Sequence, residues 1–391
     1  MANTSPEEAA HDLLAACIAG SPWPGGALES LVQPAGNRAL FSIVVEGLAD
    51  RFEPRLCDVY AELFAKVLGQ PRDLLERYQR VRQPRKFDGD PASIERVYVL
   101  SRVTLGADVA ITSIVLDAAK HLFDNAVIYF VGPEKSWELF ASDPVLEHAP
   151  ISYGRSGSLL DRLAVWPQIR ELVSGANSIV IDPDSRLTQL GLLPVSPDED
   201  YFFFESRSYG GDSDATLPDL TRRWVGETFG IQDAKQFIAP LPAVGDPADV
   251  TISFGVGENP DKRVDDPFEE DLLRYLATHE SSILVDRGAG GEEAERVEHA
   301  VTKSGARIAM WDGSFAGFAA QIARSRLYIG YDSAGGHVAA ATGVPLISVF
   351  KGNVSERMFQ RWKPSGPGPI RVIRASDPTS TLREVIQAHS E

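Results

Sequence analysis

The chain has 391 residues, 43% hydrophobic and 24% charged, with 55 acidic against 38 basic side chains and a formal net charge of -17. That length exceeds what one hydrophobic core serves, so two or three domains are expected. The charge excludes the basic surface of a nucleic-acid binder and weighs against broad docking on anionic membranes, leaving small molecules, glycans or proteins as partners. Only Cys17 and Cys57 occur, so neither a disulfide scaffold nor a cysteine metal site is expected, and a reducing cytoplasm fits best. The acidic stretch Met1 to Asp12 lacks the features of a secretory signal, and no run approaches the roughly 20 apolar residues that span a bilayer.

Taken in order, residues Ser5 to Gln83 carry helical patterns and almost no strand. Helices are predicted over Pro6 to Ile18, Ala39 to Leu48, Pro54 to Leu68 and Pro71 to Val81. Leu56, Val59, Tyr60 and Leu63 fall on one face at i, i+3, i+4, i+7 spacing. Such an all-helical leader (residues 1–93) packs on something, either structurally or as a surface for an acceptor or a second subunit. The polar, proline-bearing stretch Gln83 to Ser93 ends it.

From Ile94 strands and helices alternate: strands over Arg96 to Ser101, Ala126 to Val131, Ala149 to Tyr153, Ser178 to Asp182 and Tyr201 to Ser206, with helices over Asp108 to Phe123, Pro133 to Ala141, Leu159 to Ser174 and Leu217 to Phe229. Alternation of this kind predicts a parallel sheet covered on both faces. Ile238 to Asp249, with three prolines and a glycine, reads as a linker, and the alternation then restarts. Strands are predicted over Val250 to Phe254, Ser282 to Asp286, Arg307 to Met310, Leu327 to Gly330, Pro345 to Phe350 and Ile370 to Ile373. Helices near Phe268 to Thr278, Glu292 to Ser304, Phe315 to Ala323 and Thr379 to His389 complete the pattern. The expected architecture is α/β: a helical extension, a Rossmann-like domain over residues 94–242 and a second over 243–391, with a ligand cleft between their carboxyl edges.

Four strand-to-helix corners carry candidate chemistry. At the first, Gly106 and Asp108 stand at the corner, where a carboxylate either caps the helix or takes a proton from an attacking hydroxyl. The stretch Phe254 to Arg263 includes Gly257, Lys262 and Arg263. Lys262 is either a surface side chain or a counter-charge for a leaving anion, with Arg263 as a second candidate. After the next strand, Glu292 and Glu293 open a helix behind Gly288, Gly290 and Gly291, where acidic residues favour the helix end in any case. The fourth corner is Asp332-Ser333-Ala334-Gly335-Gly336-His337, followed by the alanines 339–341. Free N–H groups and a positive helix end make it an anion cradle, and a structural turn with a buried histidine is the competing reading. The seven histidines show no metal-site spacing, and no serine-hydrolase elbow or P-loop occurs.

The Asp332 to His337 segment resembles the signature of the lipopolysaccharide heptosyltransferase family (glycosyltransferase family nine), with Ser333-Ala334 where that family has a Thr-Gly pair. The Leu105-Gly106-Ala107-Asp108-Val109 stretch is similar to its L-G-D-V segment, with one extra residue before the aspartate. The resemblance covers roughly Arg96 to Gly352. It implies a GT-B fold and an inverting transfer without a required metal or cofactor, from a nucleoside-diphosphate sugar, ADP-heptose favoured, to a hydroxyl of a glycan, glycolipid or protein. On this resemblance Asp108 is the base, Lys262 and the Asp332 to His337 turn stabilise the departing diphosphate, and Glu292 or Glu293 binds the ribose. A sugar-nucleotide epimerase, or a nucleotide-sugar-binding scaffold without catalysis, is the alternative.

Overall fold

A computed structural model describes residues 5–69, 71–154, 158–257 and 259–391. Two parallel sheets organise it. The first contains β1 (Arg96–Leu100), β2 (Val127–Gly132), β3 (Leu146–Pro150), β4 (Ser178–Asp182) and β5 (Tyr201–Phe203) in the order β3-β2-β1-β4-β5. The second contains β6 (Val250–Ser253), β7 (Ile283–Asp286), β8 (Ala309–Trp311), β9 (Leu327–Tyr331), β10 (Leu346–Phe350) and β11 (Ile370–Arg374) in the order β11-β10-β9-β6-β7-β8. Every pairing is parallel, as expected where helical crossovers join successive strands. In each sheet the chain runs outward on one side and then crosses to the other, which leaves a switch point between β1 and β4 and another between β6 and β9. Crevices at the carboxyl ends of such strands are where open α/β sheets bind ligands.

Period-two burial explains what the helical leader does. Val97 and Val99 of β1, with Ile128, Phe130, Ile179 and Ile181, face one layer and join a core that continues into the second lobe through Phe318, Tyr328 and Val338. Tyr98 and Leu100 point the other way, and with Val131, Val180, Tyr201 and Phe203 they pack on Leu40, Val44, Leu56, Tyr60, Phe64 and Tyr78 of the leader. The leader is therefore a covering layer of the first sheet. Its helices Pro6–Ala19, Pro54–Val67 and Pro71–Val81 lie close to their predicted bounds. The first starts at a reciprocal cap: Glu8 N donates to Ser5 Oγ (3.2 Å) and Ser5 N to Glu8 Oε2 (2.9 Å).

Several boundaries differ from the expected ones for identifiable reasons. β3 runs Leu146–Pro150, earlier than expected, because it pairs in register with Ile128 to Gly132 of β2, and Ile151 N makes the last bond to that strand, to Gly132 O (3.1 Å). β5 stops at Phe203: Phe204 N makes the last bond to β4, to Asp182 O (2.9 Å), and Ser206 N then closes a tight turn on Phe204 O (2.8 Å). The helix after β1 begins at Leu105, passes through a π-helical stretch at Asp108–Thr112 and continues as Ser113–Leu122. A short helix, Glu356–Trp362, was not expected, although Ser355 caps it by accepting from Met358 N (3.0 Å). It reaches the first lobe: buried Arg361 donates to the carbonyls of Ala215 (3.0 Å), Gly211 (3.0 Å) and Tyr209 (3.3 Å). Trp362 meets Phe52 of the leader edge-on, with centroids 6.2 Å apart.

Candidate functional site

The second-lobe switch point brings two distant corners together. β6 and β9 pair with Ser253 opposite Gly330, so the turns that follow them emerge side by side. On the β6 side, Asn259 Oδ1 accepts from Asp261 N (3.0 Å) and closes the short 3-10 turn Pro260–Lys262. Lys262 Nζ then crosses the crevice, donating to Asp332 Oδ2 at 2.7 Å and to Asp332 O at 3.3 Å. The pair is shielded, with side-chain exposures of 19% and 7%.

Immediately beyond Asp332, Ser333 is the N-cap of helix Ala334–Thr342 but makes no capping bond with its side chain, and no acidic residue stands in the first turn. Gly336 N donates to Ser333 O (3.2 Å), while the Ala334 and Gly335 amides keep their unmet hydrogen-bonding capacity and the helix end its partial positive charge. The small residues are required by crowding. A Cβ on Gly335 would run into Tyr328 Oη, and one on Gly106 of the first lobe would come within 3.3 Å of both Ala334 Cα and His337 Cδ2. The two lobes therefore meet corner to corner, the β1 turn of one against the β9 turn of the other.

His337 lies inside this contact, 3% exposed, with its ring edge-on to Trp362 at 5.8 Å and Nδ1 without a protein partner among the described residues. Burial drives its pKa down to about 4, outweighing the attraction of nearby Asp332, so the ring is neutral at pH 7. The sign follows from linkage. Below the ordinary value of 6.5 the unfolded chain takes up a proton that the folded chain refuses, so stability falls as pH drops from 6.5 toward 4, by about 3 kcal/mol in total. Thermal melts of wild type and His337→Asn between pH 7.5 and 4.5 should show the variant losing less stability than wild type over that interval; parallel curves would refute it.

The other sequence-predicted residues divide clearly. Arg263 turns away from the crevice: Nε donates to Glu269 Oε1 (3.2 Å) and the guanidinium also pairs with Asp266. Buried Glu269 additionally takes Arg296 and the Tyr331 hydroxyl (3.0 Å), so Arg263 belongs to a structural ion cluster. Glu292 is exposed. Glu293 ties two glycine turns together, accepting from Ala289 N (3.0 Å) and Val256 N (3.3 Å). Gly257 is an exposed turn residue with φ +62°. Asp108 is 0% exposed, and its carboxylate accepts from Ser101 Oγ, Arg102 N and Thr112 Oγ1, each at 2.8 Å.

Asp286, at the end of β7, was not singled out by sequence. It accepts from Ser253 Oγ (3.2 Å) and Gly288 N (3.1 Å), burial raises its pKa, and Lys135 of the first lobe acts on it across the gap. The available signal was that Ser253 and Asp286 both end apolar strands with a polar group at the carboxyl edge. Among the described residues no three His, Cys, Asp or Glu side chains converge on a metal position, and no helix is long and apolar enough to cross a membrane.

Comparison with known proteins finds a sequence match in the second lobe and a likeness of fold across both. The family model described as glycosyltransferase family 9 (heptosyltransferase) matches residues 259–372, which hold Lys262 and the Asp332 to His337 turn. The E. coli heptosyltransferase WaaC with ADP superposes with a TM-score of 0.55 at 14% identity, over 75% of this chain and 99% of that one. A glycosyl transferase family 9 protein from Veillonella parvula DSM 2008 gives 0.54 at 16% identity, over 76% and 89%. The E. coli ADP-heptose lps heptosyltransferase II gives 0.50 at 15%, over 75% and 98%. At these identities the likeness is one of fold, a GT-B-like pair of α/β lobes. No curated protein matches the chain in sequence.

Proposed function

We propose that this chain, whose residues 259–372 match the family model described as glycosyltransferase family 9 (heptosyltransferase), is a glycosyltransferase of that kind and moves a sugar from a nucleoside-diphosphate donor to an acceptor hydroxyl with inversion. ADP-heptose is the favoured donor, since solved proteins of this fold are an ADP complex and an ADP-heptose enzyme. The observation that carries the reading is the Lys262 to Asp332 contact, set at the mouth of an uncapped helix N-terminus in the β6/β9 crevice. A diphosphate seated there would meet an ammonium and the Ala334 and Gly335 N–H groups at the helix start.

In the reaction the acceptor hydroxyl attacks the anomeric carbon as the bond from that carbon to the diphosphate oxygen breaks, its proton passing to the Asp108 carboxylate of the first-lobe corner and the diphosphate leaving as the anion. A single displacement inverts the configuration. Negative charge grows on the leaving oxygen, and fixed positive groups aimed at it lower the barrier more than they lower the ground state. The first lobe approaches this turn at Gly106, which abuts Ala334 and His337.

The test is calorimetric titration of the purified chain with ADP-, GDP- and UDP-sugars, followed by product analysis with labelled donor. ADP-heptose is expected to bind at least about tenfold more tightly than the others, a difference of about 1.4 kcal/mol. The product is expected to be a glycoside of opposite anomeric configuration. Recovery of an isomerised sugar nucleotide, or no binding of any of the three, would refute the reading.

A further inference from the structure

Tyr328 lies in β9 two residues before Gly330, so its side chain leaves the strand on the same face and runs along it toward the carboxyl edge. Glycine keeps that lane clear: a Cβ on Gly330, or on Gly335 in the first turn of the following helix, would run into the phenol oxygen. The hydroxyl is thereby delivered beneath the donor turn, where it stands against the hydroxyls of Ser333 and Ser253. Tyr328 is 0% exposed, and neither its Oη nor Ser333 Oγ forms a well-aligned hydrogen bond among the described residues. Burial pushes the phenol pKa up, so the group stays a hydroxyl and can donate to a serine oxygen.

Ser333 differs from other serines at helix N-caps. Ser5, Ser158, Ser314 and Ser355 each accept from the amide three residues on. Backbone shape does not explain the difference, because Ser355 caps with φ -155° and ψ 158°, close to the -156° and 179° of Ser333. What differs is the direction of the side chain: Ser333 Oγ is buried under the turn, beside the phenol. A serine oxygen placed as a cap would accept from Gly335 or Gly336 N, and so compete for the amides that an incoming anion needs.

We propose that Tyr328 is a positioning residue of the donor site: its phenol holds the Ser333 hydroxyl beneath the turn, so that the helix Ala334–Thr342 does not cap itself and its first amides stay open to a nucleoside diphosphate. The inference rests on the glycosyltransferase reading for the identity of the ligand, but the uncapped state of the helix can be measured apart from it.

The experiment compares wild type, Tyr328→Phe, and Tyr328→Phe combined with Ser333→Ala, all in the full-length chain. Phenylalanine keeps the ring in the lane over Gly330 and Gly335, so only the hydroxyl is lost. Read-outs are ADP affinity by calorimetry and amide exchange of the segment 332–337 without nucleotide. With the phenol oxygen gone, Ser333 swings up to cap its helix. Exchange in the segment is expected to slow and the ADP Kd to rise about fivefold, the equilibrium worth of a typical serine cap. Adding Ser333→Ala removes the competing cap, so the double variant is expected to bind ADP about fivefold more tightly than Tyr328→Phe and to exchange at the wild-type rate.

That rescue separates positioning from a loss of packing, which a second truncation could only deepen. An ADP affinity of Tyr328→Phe within twofold of wild type, or a double variant that binds no more tightly than Tyr328→Phe, would overturn the proposal. If wild type does not bind ADP, the functional reading fails and exchange alone then decides. Slowing in Tyr328→Phe that Ser333→Ala reverses upholds the role of the phenol, and any other pattern across the three chains overturns it.

Discussion

On the proposed function, replacing Lys262 by alanine should reduce sugar transfer by about 100- to 1000-fold, the range seen when one preorganised donor to a developing oxyanion is removed. The loss comes from two sources. The ammonium no longer faces the leaving diphosphate, and Asp332, 7% exposed, is left as an anion without its counter-charge beside the place where more negative charge must settle. Donor affinity therefore falls together with kcat, which separates this variant from one that touches only the acceptor side. Lys262→Arg should recover part of both, since charge returns while the point geometry of the ammonium does not. Steady-state kinetics with calorimetric donor binding checks this. Transfer by Lys262→Ala within threefold of wild type would remove Lys262 from the mechanism.

The second large effect concerns the leader. A chain beginning at Ile94 should show no cooperative thermal transition, because one face of the first sheet, including Tyr98, Leu100, Val180, Tyr201 and Phe203, would lose much of its cover, only residues such as Val165, Ile169 and Leu187 remaining on that side. Each such side chain contributes about 1.5–3 kcal/mol by leaving water, so the sum is comparable to the whole stability of a typical domain. Truncation also strands charge. Glu205, 3% exposed, is paired with Arg82 (2.7 Å) and bonded by Tyr78, both from the leader. A milder form of the experiment is Arg82→Ala, which removes one partner of that pair and should cost on the order of 3–5 kcal/mol in chemical denaturation. A sharp unfolding transition and native near-ultraviolet dichroism for the truncated chain would contradict this account.

The strands were legible because burial on both faces of a parallel sheet writes near-continuous apolar runs into the sequence, as in Ser178–Asp182 and Leu346–Phe350, both buried along their length. The leader was legible as amphipathic helices but not as a sheet cover, since an apolar stripe announces that it packs without naming its partner. Lys262 and Asp332 are 70 residues apart and were singled out separately. Their meeting depends on β6 and β9 being neighbours, and strand order is not written in local pattern. Arg263 was indistinguishable from Lys262 in sequence, and a buried glutamate six residues on decides between them. The π turn at Asp108 could be seen only as a misplaced aspartate, because one inserted residue leaves composition and periodicity almost unchanged.

Arg361 has a mechanical consequence. It is 0% exposed and grips three carbonyls of the Tyr209 to Ala215 stretch, while its neighbour Arg357 holds Gly211 O and Asp212. Any hinge motion that parts the lobes must either break this grip or carry the segment Glu356–Trp362 along with residues 94–242. As long as the grip holds, a short piece of the carboxyl-terminal half belongs mechanically to the other body.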